Sequence, residues 1–326
     1  RRSRSKTSTG RPRSRQSQSL AAGIAHKANR ARNEAEQVIE EEVSIDRLAA
    51  GGDGVGHLAD GRVVFARFTV PGDRVRITAS ETFGRFGKAH SALVIEASPD
   101  RVEPECTVFG ECGGCAWQHI AYSTQVESKR QILSDAILRI GKFRELPPMQ
   151  FIPSPKAYGY RGRTRLSSAQ GKIGYRRFRD HEIVPTAACP VLVPELEAEL
   201  AVLASKVSTA HAGVPETREW ELAAGSDHRV RTTVLGEHEI APSLQDARTE
   251  IEVGGALIGI SPGGFAQGNP LLFEVLYSLV AEALSGGPGE ELLELYAGAG
   301  FFTVGVLSEP ALALDVVCST FRVRVF

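Results

Sequence analysis

Between residues 43 and 98 apolar and polar positions alternate in short runs, the two-residue period of strands with one buried face. Val63-Val-Phe-Ala-Arg-Phe-Thr-Val70 reads as a strand, and Pro71-Gly-Asp73 is turn chemistry. Arg74-Val-Arg-Ile-Thr78 alternates so as to set its arginines on one exposed face, and Ala92-Leu-Val-Ile-Glu96 completes the set. Ala50-Gly-Gly-Asp-Gly-Val-Gly56 is too dense in glycine for a helix. About five strands in so short a stretch predict a small β-barrel of the OB type. Arg62, Arg67, Arg74, Arg76, Arg85 and Lys88 give it a basic surface, with Phe83 and Phe86 interleaved. Basic residues beside exposed aromatics suit a nucleic-acid backbone and unstacked bases, and a solvated charged barrel with core phenylalanines accounts for them equally well.

Further along, the period lengthens. Ile132, Leu133, Ile137 and Ile140 share one helical face, Thr124 and Glu127 have capping-box spacing, and Gly141 supplies a stop. A second helix stacks Leu192, Leu196, Leu200 and Leu203. Between them, Tyr160-Arg-Gly-Arg-Thr-Arg165 and Lys172-Ile-Gly-Tyr-Arg-Arg-Phe-Arg179 predict a two-stranded ribbon with seven basic residues and no acid from Arg161 to Arg179. Alternation sets Arg161, Arg163 and Arg165 on one side, and with Arg176 and Arg177 they are candidate phosphate contacts whose binding weakens with salt. Residues 219–260 look strand-rich, most clearly Arg229-Val-Arg-Thr-Thr-Val-Leu235.

The last third reads differently. Asn269-Pro270 caps and opens a helix through Ala283, which Gly286-Gly-Pro-Gly289 ends. Glu291-Leu-Leu-Glu-Leu then feeds Tyr296-Ala-Gly298-Ala-Gly300 and a new helix, the first βα unit of a doubly wound sheet. A dinucleotide fingerprint wants a further glycine where the chain has Thr303, which argues against a dehydrogenase. Asp315, ending the next predicted strand, is a candidate ribose ligand or an ordinary surface acid.

Composition sets the limits. At 326 residues, 42% hydrophobic and 24% charged, the chain has the profile of a multidomain soluble protein, with no apolar run long enough to span a bilayer. A net charge of −1 hides an uneven distribution: ten Lys and Arg and no acid precede Asn33, and five glutamates follow by Glu42. This low-complexity leader is too poor in apolar residues to fold alone. Of five cysteines, Cys106, Cys112 and Cys115 form a C-x5-C-x2-C cluster and Cys189 precedes Pro190, leaving Cys318 apart. Four thiolates meeting at one point can hold an iron–sulfur cluster or zinc, and the three-plus-one grouping favours the cluster.

Together these motifs resemble the iron–sulfur RNA uracil-5-methyltransferases that carry an N-terminal TRAM domain, especially those acting on large-subunit ribosomal RNA. The resemblance rests on Gly51-Gly-Asp-Gly-Val-Gly56 through Val70-Pro-Gly-Asp-Arg-Val75, the four cysteines, Tyr160-Arg-Gly-Arg163, Phe265-Ala-Gln-Gly-Asn269 and Leu295-Tyr-Ala-Gly-Ala-Gly300. It implies a leader over residues 1–42, a TRAM-like OB barrel over 43–98, an α+β iron–sulfur and RNA-binding domain over 99–255, and the start of a Rossmann-like methyltransferase domain over 256–326. It also implies a 4Fe-4S cluster on Cys106, Cys112, Cys115 and Cys189, and S-adenosylmethionine at Gln267, Tyr296, Gly298, Gly300 and Asp315. Phe265 would lie near the target nucleotide. Phe301 stands where the family usually has Asn. The family reaction uses a downstream cysteine thiolate that adds to carbon 6 of uracil and a base that removes the carbon-5 proton. The Asp-Pro-Pro-Arg-like and Ser-Cys-Asn-Pro-like motifs that supply them are not in this sequence, and Cys318 is not a substitute. The expectation is therefore a chain truncated before its nucleophile, inactive and aggregation-prone as it stands, cytoplasmic, monomeric, and bound to RNA with no membrane contact. The rival expectation is a non-catalytic RNA-binding protein stapled by a four-cysteine metal site.

Overall fold

In the computed structural model, which describes residues 39–83, 86–210, 216–236, 248–284, 291–308 and 315–319, the alternating N-terminal sequence closes into a five-stranded barrel. Its strands are β1 (Ile39–Leu48), β2 (Gly54–His57), β3 (Val63–Ala66), β4 (Arg74–Phe83) and β5 (Phe86–Glu96). They run in the order β1-β2-β3-β5-β4, with β3 and β5 parallel and the other pairs antiparallel. Val43, Ile45, Val64, Ala66, Val75 and Ile77 fill the centre. Gly56 is required by close approach, because a Cβ there would lie 2.4 Å from Val43 Cγ1 and 2.5 Å from Ser44 O. Buried Asp73 pins the β3–β4 turn by accepting from Val70 N at 2.7 Å and from Ser98 N at 2.9 Å.

Two sequence expectations change here. Strand β1 begins at Ile39, so residues 39–42 belong to the barrel and not to the leader, and Ile39 to Ser44 pair with Ala79 to Arg74. The basic surface is largely neutralised from within: Glu42 pairs with Arg74 and Arg76, Glu96 with Arg74, and Asp60 with Arg62. Arg67 lies over the Phe68 ring at 4.4 Å. The leader through residue 38, and Arg85, lie outside the described residues.

This barrel belongs to one compact unit, Arg1–Pro99, and the second is Asp100–Phe326. The second unit is built on an antiparallel sheet of β6 (Arg163–Ala169), β7 (Lys172–Arg176), β8 (Ile183–Pro185), β9 (Arg218–Ala224) and β10 (Val230–Leu235), ordered β10-β9-β6-β7-β8. The expected two-stranded ribbon is thus the middle of a larger sheet. Helix α2 (Pro194–Ala210) covers it with Leu196, Leu200, Leu203 and Val207 against Leu166, Ile173 and Leu222. Leu192, expected on the helix, lies two residues before it and is buried in the same core.

The earlier helix departs from its expected pattern. α1 (Tyr122–Asp135) starts after Ala121 with no side-chain cap, and Glu127 pairs with Arg130 instead of completing a box with Thr124. Its buried positions are Ser128 and Ser134, whereas Leu133 is exposed and Ile140, in the π-helical turn Ala136–Ile140, is 81% exposed. The Ser134 hydroxyl donates to Arg130 O at 2.9 Å, so burying it leaves no polar group unpaired.

The remaining elements form one further cluster. Hairpin β11 (Thr249–Val253) and β12 (Ala256–Ile260) packs Ile251, Val253, Ile258 and Ile260 against Phe273 and Tyr277 of α3 (Phe273–Ala283). The 3-10 turn Pro270–Leu272 leads into α3, and the Asn269 side chain caps it by accepting from Leu271 N at 3.0 Å. The expected glycine stop at 286–289 lies outside the described residues. Finally β13 (Glu291–Leu295), α4 (Phe301–Ser308) and β14 (Asp315–Ser319) form a βαβ unit with parallel strands. Among the described residues no helix is long and apolar enough to cross a membrane.

Leu200 is fully buried at the centre of the α2–sheet interface. Leu200→Ala is expected to destabilise the second unit by about 2–5 kcal/mol. Urea unfolding followed by the fluorescence of Trp220, which packs on this core, measures the loss.

Candidate cofactor cavity and cysteine centre

The turn after β13 needs backbone that most side chains resist. Tyr296, Gly298 and Gly300 have φ of 60°, 61° and 83°. Glycine adopts this freely, whereas the left-handed tyrosine carries strain of about 1–3 kcal/mol. The turn therefore thrusts the Tyr296 side chain outward, and the residue is 90% exposed. Glu294, the last acid of β13, is tied across the turn to the hydroxyl of buried Thr303 on α4.

Beside this turn lies a cavity of about 250 Å³. Ile251 and Ile260 of the hairpin, Phe265, Ala266 and Gln267 of the following segment, Glu294 to Ala299, and Phe301 and Phe302 line it. Four residues expected from the sequence, Gln267, Tyr296, Gly298 and Phe265, come together here. Gly300 shapes the turn from outside the lining. Phe301 packs edge-to-face on Phe273 at 5.4 Å, giving the cavity an apolar wall anchored to α3. Asp315 is a correction. It begins β14 and does not end a strand, and parallel register sets it beside Glu291, so its Cα sits at the end of the sheet away from the turn. Ser319 is the residue in register with Leu295.

The arginines expected on one RNA-facing side also sort differently. Arg163 and Arg165 do share a side of β6, but so does Glu221 on the adjoining strand β9, in register with Arg165. Its carboxylate lies 3.3 Å from Arg163 Nη2 and 3.2 Å from Arg165 Nε. Burial pulls the Arg163 guanidinium below its usual value, and the Glu221 charge opposes that shift. Arg163 is therefore committed to the interior and is not a free phosphate ligand. Arg176 lies 3.6 Å from Glu219, and Arg177 pairs with Glu182 at 3.0 Å and Glu111 at 3.5 Å. The stretch from Arg161 to Arg179 holds no acid, but the fold brings acids to it from other elements. Arg161 donates to Arg163 O at 3.0 Å and lines the cysteine cavity. Phe265 is 75% exposed.

The four cysteines line a second, smaller cavity of about 30 Å³, together with Phe109, Gln118, Arg161 and Tyr175. None is in a disulfide. Their segments are irregular and are held by hydrogen bonds to the sheet and to α2. Gly113 N donates to Arg176 O at 2.9 Å, and a Cβ on Gly113 would press on that same oxygen. Cys189 N donates to Glu197 Oε1 at 3.1 Å, and Cys106 N to Gln118 Oε1 at 3.2 Å. Two donors aim at sulfur: Gly114 N at Cys112 Sγ (3.4 Å) and the Tyr175 hydroxyl at Cys189 Sγ (3.7 Å).

Burial pushes the Cys112 and Cys189 thiols up, and the neighbouring thiols push the same way. Burial also drives the Tyr175 phenol far upward, so it stays a neutral donor. Among the described residues no set of three or more His, Cys, Asp or Glu side chains is gathered closely enough to hold a metal ion as the side chains stand. The donor set itself fits a thiolate-ligated centre. The lining offers four thiols, no carboxylate or imidazole, and N–H and O–H donors directed at sulfur. Sequence reasoning missed Glu221 and Tyr175. The one signal for Glu221 was a lone acid in the otherwise apolar run Trp220-Glu-Leu-Ala-Ala224.

No protein-family model matches the chain. It is 30% identical over 324 residues to the 23S rRNA (uracil(1939)-C(5))-methyltransferase RlmD of Halomonas elongata, covering 87% of this chain and 67% of that protein. To RlmD of Thiobacillus denitrificans it is 29% identical over 319 residues, covering 85% of this chain and 72% of that protein. An uncharacterized RNA methyltransferase of Gloeobacter violaceus is 35% identical over 231 residues, 69% of this chain and 48% of that protein. Among solved structures, the Pyrococcus abyssi tRNA (uracil-54, C5)-methyltransferase in complex with S-adenosyl-L-homocysteine matches with a TM-score of 0.59. That match has 23% identity and covers 80% of this chain and 69% of that one, a likeness of fold. With the cofactor-type turn and its cavity in place, the RlmD matches establish that the chain belongs to the RNA uracil-C5 methyltransferase family.

Proposed function

We propose that this chain serves S-adenosylmethionine-dependent methylation of carbon 5 of a uridine in RNA, with large-subunit ribosomal RNA as the substrate class, as the RlmD relatives are named. The observation that carries the reading is the cavity at the carboxyl end of β13, where Gln267, Tyr296 and Gly298 converge. Ligands of open α/β sheets sit at that end of the strands. Bound there, S-adenosylmethionine supplies the methyl group. Gly298 lets backbone approach the cofactor closely, the Gln267 amide both donates and accepts, and Ile251, Ile260 and Phe301 exclude water. Phe265, exposed at the rim, offers a stacking face to a base turned out of its helix.

The cysteine centre is read as the site of a 4Fe-4S cluster with a bracing role. Cys106, Cys112, Cys115 and Cys189 would hold it, joining the loop that follows the first unit's sequence to the start of α2 and, through Gly113, to β7. That brace supports the end of β7 at Arg176 and the adjoining Arg177. Arg161, Arg176, Arg177 and Arg165 are the proposed phosphate contacts, with the barrel as a TRAM-like accessory RNA surface.

Three measurements test this reading. Calorimetric titration with S-adenosylhomocysteine is expected to show one site, and Gln267→Ala to weaken it roughly tenfold, the worth of a lost amide hydrogen bond. Absence of binding by the wild-type chain would overturn the cavity assignment. Anaerobically purified protein is expected to be brown, with iron and acid-labile sulfide in equal amounts, and Cys112→Ser to lose both. A colourless protein carrying zinc would sink the cluster assignment. RNA affinity, read by filter binding, is expected to fall with salt, and Arg176→Ala with Arg177→Ala to reduce the salt slope by about two. An unchanged slope would remove both arginines from the interface.

A further inference from the structure

Glu221 is the deepest acid of the central sheet, its side chain only 3% exposed. A buried carboxylate is costly unless charge and hydrogen bonds compensate it. Two guanidinium groups do so, from Arg163 and Arg165, and both reach beyond it. Arg163 Nη1 donates to Gly264 O at 2.6 Å, and Arg165 Nη2 donates to Gly263 O at 2.8 Å. The circuit closes when Gly263 N donates back to Glu221 Oε1 at 3.0 Å.

These glycines belong to the segment between β12 and the Pro270–Leu272 turn, residues 261–269, which has no helix or strand of its own. It nonetheless carries Phe265 and Gln267 to the cavity wall. Its far end is tied by Gly162 N donating to Gly268 O at 2.9 Å and by Asn269 Nδ2 donating to Ser154 Oγ at 3.0 Å. A tie serving only to join β6 to β9 would end at the carboxylate. Here both guanidinium groups continue to the strap's carbonyls, and the strap's amide returns to the acid. Gly263 has φ of 75°, and a Cβ on Gly264 would sit 2.9 Å from Ser261 O, so the two glycines turn these carbonyls toward the arginines.

We propose that Glu221, acting through Arg163 and Arg165, is a positioning residue that holds the strap of residues 261–269 in register with the Tyr296–Gly300 turn and so sets cofactor affinity. The inference rests on the proposed function of the cavity. A strap without ladder partners must lose its conformational freedom when ligand binds, and the latch removes that freedom beforehand. The Glu221 latch thus makes the Gln267 wall available before the cofactor arrives.

The test uses the full chain and the half-exposed member of the latch. Arg165 is 54% exposed, and Arg163 stays 3.3 Å from Glu221 when Arg165 is replaced, so the buried carboxylate keeps a partner. Arg165→Gln is expected to weaken S-adenosylhomocysteine binding about five- to tenfold, the worth of one ordinary hydrogen bond, because the latch acts on the cofactor only through the strap. Amide hydrogen exchange across 261–269 is expected to rise, with the Trp220-monitored melt close to wild type. Arg165→Lys, which keeps the charge but not the fork, is expected to recover only part of the affinity, and Glu221→Gln to exceed the Arg165→Gln effect. Unchanged affinity and unchanged exchange in folded Arg165→Gln overturn the proposal, as does a melt lowered with no exchange change in the strap. Should Glu221→Gln fail to fold, Arg165→Gln decides alone. Failure of the wild-type chain to bind S-adenosylhomocysteine counts against the functional reading instead, and the exchange measurement then decides the latch.

Discussion

The cysteine loop and the strap of residues 261–269 hang from the same five-stranded sheet, and the hydrogen bonds that attach them are the constraint on which the site depends. The cysteine loop is fixed to β7 by the Gly113–Arg176 backbone bond and by the Tyr175 hydroxyl at Cys189. The cofactor strap is fixed to β6 and β9 by Arg163, Arg165 and Glu221. Neither segment has a strand ladder or helix of its own, so its order is borrowed from the sheet. The sheet in turn owes its rigidity to α2, whose Leu196 and Leu200 are completely buried against it. Chemistry-bearing loops on a packed frame are the usual division of labour, because loops tolerate the odd backbone that a site needs.

The two attachments differ in kind. At the strap, opposite charges compensate one another within the protein, and backbone groups satisfy what remains. At the cysteines, like groups are gathered: burial raises the Cys112 and Cys189 thiols, and the neighbouring thiols push these two the same way. Left alone, such a centre favours neutral thiols. Positive charge placed among them would reverse the balance, which is the electrostatic condition that the proposed cluster would meet.

Much of this was legible in the sequence because it depends on local spacing. The barrel followed from the alternation and glycine turns of residues 43–98, α2 from its leucine stripe, and the cofactor turn from Tyr296-Ala-Gly-Ala-Gly300. Gln267 and Phe265 were linked to that turn only through family resemblance, since nothing in their spacing brings them to residues thirty positions on. The failures were non-local. Glu221 pairs with Arg165 from 56 residues away, and Glu111 and Glu219 reach the basic ribbon from either side of it. A window of sequence reports its own charge but not the charge that folding brings beside it. The α1 stripe misled for a related reason: helical spacing says which residues share a face, not which face is covered, and here Ile140 faces out.

Those non-local acids divide the ribbon's arginines into two classes. Arg176 and Arg177 pair with Glu219, Glu182 and Glu111, carboxylates that are themselves more than half exposed. Such surface pairs are worth about 0–1 kcal/mol, so a phosphate can displace them at little cost. Their presence still matters, because each acid must be outcompeted, which weakens adherence to nucleic acid that offers phosphate and nothing more. Arg163, with only 13% of its side chain exposed and Glu221 buried beside it, cannot exchange partners without stranding a buried carboxylate. It is structural for the cofactor strap whatever RNA is bound. Arg165 touches both worlds, its Nε on Glu221, its Nη2 on the strap and its flank in solvent. A phosphate drawn to that flank would pull on the same guanidinium that is tied to the strap, so under the proposed function substrate surface and cofactor site would meet at this one side chain.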